Sequence, residues 1–172
     1  MKSFLLGLII GIVLLPVFAL IYVYLGYAPV ATSSSPLPFE RTITNVALNA
    51  RIKREAPKQS PIPANEPNLL AGAGIYRDNC AVCHGIAGQP PTAIAAGMFP
   101  KPPQLFRGKG VTDDPPGETF WKAANGIRLT GMPAFRNRLS DLQLWQVSLL
   151  LANADKLPPS VSAVVWRPIS EH

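Results

Sequence analysis

Cysteine and histidine are scarce in this 172-residue chain, with Cys80 and Cys83 as the two thiols and His84 and His172 as the two imidazoles. A structural zinc takes four ligands, usually from two cysteine pairs. Here there is no second pair, and the spare histidine stands at the extreme C-terminus. No apolar strand leads into Cys80, so the β-α-β setting expected of a thioredoxin-like dithiol is missing as well. A concentrated basic surface is also lacking. Net charge is +6, but residues 40–58 hold five basic and two acidic groups, whereas residues 66–158 hold nine and seven. The excess therefore sits in a connector, and the basic stripe on a folded face that marks nucleic-acid binding is absent. A solvated connector near a membrane fits that distribution. No internal repeat is visible.

The longest stretch without charge is Phe4–Leu25, "FLLGLIIGIVLLPVFALIYVYL". At helical rise it spans about 33 Å, close to the roughly 30 Å of a bilayer core. A signal peptide has a shorter apolar region, about 7–15 residues, ending at a small-residue cleavage site. This run is longer and no A-x-A pattern follows, so residues 1–27 read as an uncleaved transmembrane anchor. Pro16 falls mid-span, where bilayer helices tolerate proline better than soluble ones do. Lys2 precedes the span and no Lys or Arg follows until Arg41, which favours a cytoplasmic N-terminus and an exported remainder.

Residues 28–65 read as a Pro/Ser-rich linker, beginning in "GYAPVATSSSPLP". Within it, residues 42–56 fit a short amphipathic helix whose shared face would be Ile43, Val46, Ala47, Ala50 and the stem of Arg54. That face suits lipid headgroups or a partner, unless the helix is a transient one in a flexible tether. "PKQSPIPANEP" then breaks it with four prolines. The folded part is expected over residues 66–158. Leu69, Ala73, Tyr76 and Cys80 share one helical face, with Asn65 or Asn68 as cap. "GETFWKAANG" reads as a short helix ended by Gly126. In "LSDLQLWQVSLLLANADKLPP", Ser140 and Gln143 form a capping box, and Asp141 faces the positive helix end. Leu142, Trp145, Leu149 and Ala152 line a stripe, and Pro158 and Pro159 stop the helix. The tail 159–172 is expected as an extended strip or a loose end. Between the first two helices of this domain lie some thirty residues of Gly, Pro and Ala. So long a loop argues against a compact domain unless it wraps something that is not protein.

"NCAVCHG", residues 79–85, supplies that something. With zinc and the redox dithiol set aside, C-x-x-C-H is the attachment pattern of c-type haem. Thiols one helical turn apart match the two vinyl groups of a porphyrin edge and form thioethers. The adjoining His84 then places its imidazole over the macrocycle as an iron ligand. For the opposite face the candidates are Met132, Met98, His172 and no ligand at all. Met132, in "LTGMPAF", follows His84 by 48 residues, enough chain to circle the haem edge. Gly131 allows close backbone approach and Pro133 stiffens the loop. Met98, only 14 residues past His84, suits packing at the haem edge.

These segments resemble the class I cytochrome c family in its small membrane-anchored bacterial form, over about residues 66–158. "GAGIYRDNCAVCHG" resembles the first helix entering the haem site, with Gly72 and Tyr76 where it crosses the last helix. "FWKAANGIRLTGMPAF" resembles the segment before the axial methionine. "SDLQLWQVSLLL" resembles the terminal helix, with Trp145 and Leu149 on the crossing face. The resemblance implies an all-α fold of short helices and long Pro/Gly loops around one covalent haem c. Cys80 and Cys83 would be its thioether attachments, and His84 and Met132 its axial iron ligands. It also implies a proline carbonyl, Pro90 or Pro91, orienting His84, and propionate donors among Lys101, Arg107, Arg128 and Trp121. The three cations are also readable as surface charge, and Trp121 as core filler.

His/Met ligation fills both axial positions and suits outer-sphere electron transfer rather than bond-making catalysis. The expected function is therefore a monohaem electron-transfer protein at the outer, periplasmic face of the bacterial inner membrane, with no catalytic residues of its own. It would act as a tethered carrier or as a relay subunit of a respiratory or dehydrogenase complex. Redox proteins and the membrane are the expected partners. A haem-based ligand sensor or peroxidase-like protein with a displaceable Met132 is the alternative.

Overall fold

The computed structural model describes residues 2–86, 88–106 and 114–167, and among these there are helices and no strands. The chain divides into two compact units, residues 1–41 and residues 42–172.

The first unit is dominated by α1 (Lys2–Tyr24). Its side chains are exposed all round, Phe4 at 75% and Leu15 at 74% among them. The helix is apolar on every side. It is long and apolar enough to cross a membrane, a candidate anchor.

The second unit contains most of α2 (Glu40–Glu55) and then α3 (Glu66–Asn79), α4 (Ala81–His84), α5 (Ala93–Gly97), α6 (Pro116–Asn125), α7 (Asp141–Ala152) and α8 (Pro159–Val165). Asn65 caps α3 by accepting from the Asn68 N–H at 3.2 Å, and Pro67 sits where an N–H would be unsatisfied in any case. In α7 the expected capping box is complete: Ser140 Oγ accepts from the Gln143 N–H, and Gln143 Oε1 accepts from the Ser140 N–H at 2.9 Å. The core lies where α7 crosses α3 and α6. Gly72 makes the first crossing close, because a Cβ there would stand 2.3 Å from the Gln146 carbonyl oxygen.

Three expectations change. Trp145 does not face α3 alone; it stacks on Phe120 of α6 with ring centroids 4.4 Å apart. Leu142 is 52% exposed while Leu144, Val147 and Leu150 are buried, because α7 is covered on two sides and its stripe is wider than one face. The described part of the tail, residues 159–167, is neither strip nor loose end. Pro159 starts α8, a role that suits its fixed φ, and Val161 and Val165 are fully buried one turn apart. Arg77 of α3 donates to the Val164 carbonyl at 3.2 Å, which serves the helix's unsatisfied C-terminal end.

Helix α2 buries the side opposite its apolar stripe. Ile52 is 2% exposed and Leu48 is half-buried, whereas Ile43 and Val46 are 66% and 65% exposed. The α2 end reaches α6 through Trp121 Nε1, which donates to Glu55 Oε2 at 3.2 Å. Just beyond, Pro57 lies so close to α6 that a Cβ on Gly117 would be 1.7 Å from the Pro57 carbonyl oxygen.

Candidate haem-binding site

Cys80, Cys83 and His84 lie on a single helical turn. The Cys80 carbonyl accepts from the N–H groups of Cys83 at 3.1 Å and His84 at 2.9 Å. α3 delivers this turn: Tyr76, wholly buried, donates its hydroxyl to the Gly85 carbonyl at 2.7 Å. Gly85 ends the turn at φ 70°, ψ −174°, a region essentially reserved for glycine. Gln104 packs where a Gly85 side chain would go. Thr92, the cap of α5, donates to the Val82 carbonyl at 2.6 Å and so ties α5 to the turn.

Both thiols are free and half-buried. Burial, with Cys83 alongside, pushes the Cys80 thiol up to about 12. A redox-active dithiol needs a stabilised thiolate, which this environment disfavours.

His84 fixes its own tautomer. Its Nδ1 lies 2.9 Å from the Pro103 carbonyl oxygen. A carbonyl only accepts, so Nδ1 carries the proton and Nε2 presents a lone pair. Burial lowers the pKa of the ring, against a smaller upward pull from Pro103, which keeps it neutral and fit to ligate iron. Pro103 replaces Pro90 and Pro91 as the orienting carbonyl. The sequence signal was present, since "KPPQLF" carries its own proline pair, but it lies 19 residues on, and only the folded loop shows which pair returns to the histidine.

Met132 stands on a loop strapped to the end of α6. Ile127 N–H donates to the Met132 carbonyl at 3.2 Å, and Phe135 and Arg136 N–H groups donate to the Ala123 and Ala124 carbonyls at 3.0 and 3.3 Å. Thr130 Oγ1 donates to the Ile127 carbonyl at 2.7 Å and accepts from the Met132 N–H at 3.1 Å. Gly126 makes this return possible. At φ 67°, ψ −178°, its α-carbon faces the chain so closely that a Cβ would lie 2.9 Å from the Met132 carbonyl oxygen and 2.7 Å from the Ala134 nitrogen. Met98 meets the same loop, its methyl 2.1 Å from where a Gly131 Cβ would be. It thus links α5, and through Thr92 the cysteine turn, to the methionine loop, a role its position in the chain did not reveal.

Of the four propionate candidates, Trp121 is committed to Glu55, and Lys101 and Arg128 are exposed. Arg107 and His172 lie outside the described residues.

The residues present fit a covalent haem: two thiols on one turn, a neutral imidazole with its Nε2 free, and a thioether on a separately anchored loop. Residues 67–149 match the family model for cytochrome c oxidase, cbb3-type, subunit III. The domain is a class I c-type cytochrome. A cytochrome of this class carries covalent haem c, and haem-based electron transfer is its chemistry. The domain is also similar to a chain of the Kuenenia stuttgartiensis reducing HAO-like protein complex, at TM-score 0.50 and 25% identity over 58% of this chain. That match covers 49% of the other chain, so the cytochrome corresponds to about half of it. No curated protein matches the chain.

Proposed function

We propose that Cys80 and Cys83 hold one haem c by thioethers, that His84 and Met132 are its axial ligands, and that the protein passes single electrons at the outer face of the bacterial inner membrane, held there by α1. When bound, the haem supplies a ferrous/ferric couple whose potential is raised by the soft methionine sulfur. The chain's own residues do the rest. Pro103 and burial keep His84 neutral with Nε2 presented, and this is the observation that carries the reading. The backbone strap on α6 holds the Met132 loop in place, so its thioether would be positioned in advance for the iron. The match of the domain to a cytochrome c family favours a carrier or relay subunit over an enzyme. Similarity to a chain of a multi-protein redox assembly favours donor and acceptor proteins as partners, held together in a respiratory or dehydrogenase complex.

A redox titration of the full chain with visible spectra tests this. The expected result is one single-electron wave, and a ferrous form that refuses carbon monoxide at neutral pH. Ready binding of that gas overturns the Met132 assignment and favours the ligand-sensing alternative.

A further inference from the structure

Helix α2 has two working sides. Its C-terminal end is held on α6 through Glu55 and Trp121, and Ile52 is buried. The opposite side carries Ile43, Ala47, Ala50 and Arg54 at i, i+4, i+7 and i+11, with Val46 and Lys53 beside them, all exposed. That spacing makes a continuous apolar stripe ending in cations. Residues 42–58 contain four cations and one carboxylate, Glu55. Glu55 is already engaged by Arg51 at 2.6 Å, Arg54 at 3.2 Å and Trp121. One carboxylate against four cations leaves the stripe bordered by net positive charge, the combination that seats a helix in the headgroup layer of an anionic bilayer. The chain supplies the bilayer's proximity. Only residues 25–39 separate α1 from α2, at most about 50 Å when fully extended, so even weak partitioning would be saturated by the high local concentration.

We infer that the Ile43–Val46–Ala47–Ala50 face of α2 docks on anionic phospholipid and thereby sets the orientation of the cytochrome domain on the membrane, in place of free swinging on a linker. The inference rests on α1 being an anchor. Because α2 is hydrogen-bonded to α6, and α6 carries the Met132 loop, docking would fix which way that loop faces.

The test uses the haem-loaded full chain reconstituted in vesicles containing phosphatidylglycerol. With Cys80 and Cys83 consumed by thioethers, Ala47→Cys takes a single nitroxide label, and Asn45→Cys on the other side of the helix serves as the control. The expected result is a higher ratio of oxygen to nickel-chelate accessibility at position 47 than at position 45. The difference should disappear in Ile43→Ser/Val46→Ser, whose side chains are exposed enough to leave the haem spectrum unchanged, and shrink in Lys53→Glu/Arg54→Glu and in pure phosphatidylcholine. Equal ratios at 47 and 45, in a chain that survives an alkaline wash of the vesicles, overturn the inference and leave the anchor standing. Loss of the chain in that wash overturns the anchor and this inference with it. Protection of position 47 from both reagents, seen only in native membranes, replaces lipid with a protein partner.

Discussion

The two sides of the haem site are built on different principles, and two glycines make the contrast measurable. Gly85 follows His84 and Gly126 precedes the Met132 loop, and they share nearly one backbone conformation, φ 70° and ψ −174° against φ 67° and ψ −178°. Around Gly85 the chain is set by buried side chains: Tyr76 and Ala81 are fully buried, Ile86 is 1% exposed, and the nearest obstacle to a side chain is the end of Gln104. Around Gly126 the obstacles are main-chain atoms of Met132, Pro133 and Ala134, and the loop beyond reaches into solvent, Leu129 being 83% exposed. The histidine is thus fixed by core packing and the methionine by a backbone strap. Under the proposed assignment, the proximal ligand His84 should share the stability of the domain, and the distal ligand Met132 should be separable from it.

Paired substitution of the glycines gives the largest effects. Gly126→Ala and Gly85→Ala each bear about 1–3 kcal/mol of backbone strain. Gly126→Ala must also push the Met132 backbone, so it should lower both the melting temperature and the reduction potential, whereas Gly85→Ala should lower the melting temperature with the potential close to that of the parent. Equal potentials in the pair would erase the distinction. Tyr76→Phe leaves the Gly85 carbonyl without its donor and should cost about 1–2 kcal/mol, read as a lower urea midpoint with an unchanged methionine-ligation spectrum. Gly131→Ala should be milder, about 1 kcal/mol, because its new methyl meets the flexible end of Met98. The double variant Gly131→Ala/Met98→Ala should recover the parent's spectrum if that contact is what matters.

Acidification acts on the proximal side with a defined sign. The His84 pKa is lowered in the fold, chiefly by burial, so below about 6.5, the value of an open imidazole, the unfolded chain takes up a proton first. Stability is full above that pH and falls as pH drops through it. Urea unfolding at pH 7.5 and pH 5 should show a lower midpoint at pH 5; a rise would contradict a half-buried, neutral His84.

The sequence disclosed most readily what local chemistry dictates. Asn65, Ser140 with Gln143, and Gly126 mark helix ends through interactions within a few residues, and each stands where the pattern put it. Cys80, Cys83 and His84 are legible because their spacing is itself the chemistry. What escaped were relations between distant segments. Pro103 could not be told from Pro90 or Pro91, because a proline carbonyl has no sequence mark of its own. That Leu48 and Ile52 are the buried side of α2, opposite its longer apolar stripe, was not visible, because Glu55 and Pro57 engage α6 residues sixty or more positions away. Val161 and Val165 gave a helical spacing of only one turn, too short to count as a pattern until the surface of α3 is there to receive them.

The central claim is that Met132, held by the α6 strap, is the distal ligand and is separable from the fold. Visible spectroscopy with redox titration on Met132→Ala, alongside Met98→Ala, tests it most directly. The account predicts that Met132→Ala keeps covalent haem and a folded domain, loses the methionine-to-iron signature, drops in potential and admits carbon monoxide, while Met98→Ala keeps the parent's ligation. A Met132→Ala protein with the parent's spectrum and potential, or a Met98→Ala protein that loses them, would contradict it.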